Sequence, residues 1–159
     1  MKNLTYLILA GFCLMLYACG DNTSNVELTN TKASLPASFN FSAAGLKVIT
    51  TFINKKQGTM STLYGNPLAL KTAISGTNTV AGEVLALVTW KQQADVHWFG
   101  ANIPGNLQSV EMIKTNSNGA LAPIDYKRYE GKTLTLNADT MHQAERIRFI
   151  FNQKPSVMP

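Results

Sequence analysis

The sequence predicts an α+β domain: an antiparallel β-sheet meander flanked by short helices and closed by a C-terminal amphipathic helix. Three observations carry this expectation. Short runs rich in Val, Ile, Thr and aromatic residues follow one another with turn residues between them, as consecutive antiparallel strands do. Residues 84–90, VLALVTW, are apolar on both faces, as a central strand covered on each side must be. Met141, Ala144, Ile147 and Ile150 or Phe151 recur at helical spacing, with Glu145, Arg146 and Arg148 mostly on the other side.

Taken in order, the chain of 159 residues opens with one lysine and an apolar run over 4–16. That run is too short for a comfortable span, which needs about 20 apolar residues. It ends in Leu16-Tyr17-Ala18-Cys19 followed by polar residues, which reads as a secretory signal over 1–18. Residues 20–36 are polar, rich in Asn, Thr and Ser, and carry no hydrophobic period, so 19–36 is expected to be a tether and 37–159 the domain. A short helical turn is expected at 42–47. Residues 48–53 and 59–64 then form a hairpin about Asn54-Lys55-Lys56-Gln57-Gly58. Pro67 suits the first position of a helix that stops at Ser75-Gly76. After the central strand, 96–103 is expected to return as a strand and Pro104-Gly105-Asn106 to break it. Further strands are expected at 109–114, 124–129 and 132–136. Thr140 and Gln143 have capping-box form at the start of the last helix.

Composition limits the function classes. An apolar fraction of 45% against 14% charged residues describes a packed domain. Its only cysteines are Cys13, inside the apolar run, and Cys19, so a chain cut before Cys19 has no disulfide and no thiolate metal site. The formal charge of +5 includes Lys2 and is not gathered into a basic stripe, so no nucleic-acid partner is expected. Nothing has the form of a nucleophile elbow, a phosphate loop or a zinc signature, and no catalytic residue is assigned. The stretch 58–114 gathers both tryptophans and one of the two histidines. Tyr64, Trp90, His97 and Trp98 are its candidates for lining a pocket, although each aromatic alone also reads as core and His97 as a strand histidine. His142, alone, reads as a solvated residue in the first turn of a helix, where the dipole disfavours its protonated form.

Two resemblances add to this reading. Leu16-Tyr17-Ala18-Cys19 resembles the bacterial lipobox, which implies cleavage before Cys19 and acylation of that cysteine, hence a cell-envelope protein held on a lipid bilayer by its acyl chains. The segments TMSTLYGN, LALVTWKQQ, HWFGANIPG and SVEMI resemble a bacterial family of cytochrome P-460-like domains, from about Phe39 to the C-terminus. That resemblance implies an antiparallel sheet with flanking helices, often in a homodimer. Haem-bearing members attach a c-type haem through Cys-x-x-Cys-His near the C-terminus, and some oxidise hydroxylamine or bind nitric oxide. Here the corresponding stretch is Ala138-Asp139-Thr140-Met141-His142, with no thiol to attach a haem and the histidine retained. No cofactor is therefore expected. A haem-free domain with a pocket for an apolar ligand or a partner is one reading; non-covalent haem with His142 as axial ligand, and redox or nitrogen-oxide chemistry, is the alternative.

Overall fold

The computed structural model describes residues 30–116, 124–139 and 141–156. The expected signal, Cys19, residues 20–29 of the expected tether and the expected cap Thr140 lie outside the described residues.

Six antiparallel strands stand in sequence order in one sheet: β1 (Lys47–Asn54), β2 (Thr59–Gly65), β3 (Val84–Ala94), β4 (Asn102–Thr115), β5 (Ile124–Glu130) and β6 (Thr135–Asn137). Helix α1 (Pro67–Ser75) connects β2 to β3, and α2 (Gln143–Phe151) follows β6. This is the expected α+β meander. Local chemistry sets the ends of α1. Asn66 accepts a hydrogen bond from Ala69 N at 3.0 Å, Pro67 occupies the first turn, and Gly76 at φ 63° returns its N–H to Thr72 O.

Strand alternation divides the core in two. On one face Ala86, Val88, Trp90 and Val110 pack with Phe41, Leu46 and Leu134. On the other, Leu63, Leu85, Leu87 and Ile113 pack with Ile49, with Ala69 of α1 and with Ile150 of α2. Both helices thus lie on one face, and the opposite face is covered by the segment preceding β1. That segment is packed earlier than composition implies. Within the expected tether, Ala33 and Leu35 pack against the first cluster, and Trp90 Nε1 donates to Ala33 O at 2.8 Å. Polar composition hid this because the fixing contact is a backbone carbonyl.

Three local expectations are corrected. Residues 96–100 form no strand. Asp95 accepts from His97 N at 2.8 Å, Asp95 N donates to Ala101 O, and Gly100 at φ 79° closes a turn, so turn chemistry overrides the β-propensity of Val-His-Trp-Phe. Nor does Pro104-Gly105-Asn106 break the chain: it lies inside the 14-residue β4, where the pairing with β3 shifts register around Trp90. Gly105 allows this passage, since a Cβ there would sit 2.8 Å from the Lys91 carbonyl oxygen. Finally α2 starts at Gln143 rather than Met141, because His142 at φ 64° has left-handed backbone and stands at the N-cap.

Candidate functional site

Pairing register lays three rows of side chains across the helix-bearing face. Gly65, Leu85, Ile113 and Tyr126 form the first, and Leu63, Leu87, Glu111 and Arg128 the second. Ser61, Thr89, Ser109 and Glu130 form the third. The apolar part of the first two rows is where α2 packs, through Ile147 and Ile150. The third row is made of small hydroxyl side chains with a carboxylate, and it gives a helix no apolar surface to bury. Beside α2 it floors a groove of about 960 Å³, within the range of small-molecule sites.

A buried charge marks the border between covered and open rows. Glu111, 2% exposed, accepts from Arg146 Nη2 at 2.6 Å and from Arg146 Nε at 3.0 Å, and Tyr126 Oη donates to it at 2.7 Å. Desolvation, followed by the hydrogen bond to Glu111, raises the Tyr126 phenol well above its ordinary pKa. The hydrogen bonds to Glu111 likewise raise the Arg146 guanidinium, outweighing its partial desolvation. Strand β4 fixes the acceptor and α2 the donor, so the network ties the helix to the sheet at the edge of the groove.

The groove retains unused polar capacity. Ser61 Oγ and Thr89 Oγ1 bond each other at 3.0 Å, whereas among the described residues the hydroxyls of Thr59 and Ser109 have no hydrogen-bond partner. Arg128 pairs with Glu130 at 2.6 Å, but its buried Nε has no partner among the described residues. Such a group in a folded protein calls for a partner. Glu111, Glu130, Asp139 and Glu145 set four carboxylates against two guanidinium groups, Arg128 and Arg146, along the lining. With His142 neutral, this lining carries a net charge of −2.

The residues singled out from sequence do not share one site. His142 lines the rim of the groove with an exposed side chain, its Nδ1 3.4 Å from Glu145 Oε2. Trp90 is buried on the opposite face, where Tyr64 packs against the same cluster. His97 and Trp98 are on the exposed turn between β3 and β4, away from both. Sequence reading missed Glu111, Arg146, Tyr126 and the hydroxyl row. A signal was present: in SVEMIK, period two puts Glu111 on the same face as Ser109 and Ile113, a charge in an inward position.

A second cavity, of about 740 Å³, lies on the opposite face between Phe39, Phe41, Val84, Met112 and Leu134. Its two amide side chains are already engaged, Asn40 with Ala43 N and Asn66 with Ala69 N and Gly82 O. The hydroxyl-floored groove differs in its row of small hydroxyl side chains brought together by four strands, which makes it the candidate for a hydrogen-bonding ligand. Among the described residues, no group of three or more His, Cys, Asp or Glu side chains is placed to hold a metal ion. No protein-family model matches the chain, and none of the curated proteins matches it.

Proposed function

We propose that this chain is a lipid-anchored protein of the bacterial cell envelope, with a cytochrome P-460-like domain that has lost covalent haem attachment and binds a small polar ligand. The observation that carries the ligand class is the third row. A groove floored by Ser61, Thr89 and Ser109 favours a hydrogen-bonding molecule over the apolar one expected from sequence. The excess of carboxylates favours a neutral or cationic one.

Non-covalent haem is the second reading, and it rests on His142 at the rim of the same groove. The residues fit it poorly. A haem face is matched by apolar side chains, and here the floor is hydroxylic and bordered by the Glu111–Arg146 pair. No reaction step is assigned.

Thermal-shift measurements with neutral and cationic polar compounds, and a haemin titration, separate the readings. Stabilisation by a polyol or an amine that is lost in Ser109→Leu, with no saturable Soret change on adding haemin, is the expected result. A one-equivalent Soret change abolished by His142→Ala would replace it with the haem reading. Polar ligands that leave Tm unchanged in both proteins would overturn the ligand class.

A further inference from the structure

The β3–β4 turn carries a chemistry that the groove does not use. Val96 is 88% exposed, Trp98 72% and Phe99 109%, three large apolar side chains on one tight turn held by Asp95 and Gly100. Single exposed apolar residues are ordinary, but a cluster of this size at a hairpin tip marks a contact surface. The tip also projects. The β1–β2 turn ends alongside the middle of the hairpin, where Gln92 N donates to Gly58 O at 2.8 Å and Lys91 Nζ to Gln57 O at 3.0 Å. The chain then runs on through Gln93 and Ala94 to the apolar turn.

The surroundings name the partner. Lys55 and Lys56 on the shorter turn and Lys91 beside it are all exposed at this end of the sheet. The one acid of the hairpin tip, Asp95, has a carboxylate oxygen occupied by His97 N. An aromatic wedge below a shoulder of lysines is complementary to a bilayer surface, where Trp favours the headgroup level, apolar side chains enter the acyl boundary and lysines meet anionic lipid. We propose that the β3–β4 tip is a membrane-contacting element that inserts Val96, Trp98 and Phe99 into an anionic bilayer, with Lys55, Lys56 and Lys91 facing its surface. It would fix the orientation of the domain on the membrane, and it depends neither on Cys19 nor on the ligand of the groove.

The test uses the compact unit Thr31–Pro159, which contains both hydrophobic clusters and lacks Cys19. Of its two tryptophans, Trp90 is buried, so a change on adding vesicles reports Trp98. Vesicles of phosphatidylcholine mixed with phosphatidylglycerol should shift the emission to the blue and allow quenching by brominated acyl chains. Trp98→Phe should retain binding without the shift, and Phe99→Ser should weaken binding about tenfold or more. Lys55→Gln with Lys56→Gln should weaken it about 25-fold, at roughly fivefold per lysine. Pure phosphatidylcholine should bind the wild type correspondingly less. Absence of binding to anionic vesicles would overturn the proposal. So would a dimer in sedimentation that Phe99→Ser dissociates and that forms without lipid binding, which would assign the tip to a second copy of the chain.

Discussion

The Glu111 carboxylate on β4 is held by the Arg146 guanidinium on α2 through two hydrogen bonds, at 2.6 and 3.0 Å, and the two side chains differ greatly in exposure: 2% for Glu111 against 33% for Arg146. This asymmetry determines which partner is the costlier to remove. Arg146→Ala leaves a carboxylate in the sheet with only Tyr126 to stabilise it, whereas in Glu111→Gln the freed guanidinium turns to water. The expected destabilisation is about 3 kcal/mol for Arg146→Ala and roughly half that for Glu111→Gln. Urea titration of both variants checks the order, and the double variant should cost less than the two singles combined.

The same network makes stability depend on alkaline pH. Tyr126 has its phenol pKa raised in the folded state, so folding favours the protonated form. That contribution is complete below the ordinary value of 10.0 and is lost as pH rises above it toward the folded value. Tyr64, raised by burial, acts in the same direction. Denaturation midpoints should therefore fall above pH 10, and Tyr126→Phe should reduce the slope without abolishing it. A slope unchanged in Tyr126→Phe would mean that the phenol does not carry the linkage.

The fold was legible where one period governs a segment. The hairpin at 48–64, the α1 helix with its Asn-Pro start and Gly stop, and the two-faced β3 all follow from alternation and capping residues. Reading failed where local turn chemistry competes with propensity, as when Asp95 and Gly100 turn Val-His-Trp-Phe into a tip. It failed again where a bulge admits Pro and Gly within a strand. The groove was the least legible feature. Its floor consists of serines and threonines distant in sequence, and only the register of four strands brings them into one row.

Glycine positions test the packing of the sheet. At Gly105 the obstacle to a Cβ is backbone, the Lys91 carbonyl at 2.8 Å. At Gly65 it is Ile49 Cδ1 at 2.5 Å, a movable chain end, together with the Ala69 Cβ at 3.1 Å and Leu85 Cδ2 at 3.2 Å. Both alanine substitutions should destabilise by about 1–3 kcal/mol. Only Gly105→Ala should also disturb strand pairing, read as faster amide exchange around Lys91 and Gln92.

If Cys19 carries the anchor, Cys19→Ser should move the protein from the membrane fraction to the soluble one, apart from whatever the β3–β4 tip retains on anionic lipid. Adding Phe99→Ser separates the two contributions, because it removes apolar contact at the tip and leaves the acyl chains in place. A protein carrying both Cys19→Ser and Phe99→Ser that remains membrane-bound with its signal removed would exclude lipidation as the anchor.

The hydroxyl row carries the last prediction, because a groove kept for a ligand should be one that stability alone would not choose. Ser109 is 7% exposed, its hydroxyl has no hydrogen-bond partner among the described residues, and it sits between Thr89 and Glu130 in a sheet. Valine there replaces the hydroxyl by a methyl group, adds apolar contact with the neighbouring strands and has the higher strand propensity. Ser109→Val should therefore raise stability by up to about 1 kcal/mol while weakening any ligand that hydrogen-bonds to the row, the trade expected where polar groups are held ready for a function. Calorimetric Tm and ligand-induced shift, measured on the same variant, give the two quantities. A less stable variant would show that Ser109 has a structural partner, and a more stable one with unaltered ligand response would remove Ser109 from the site.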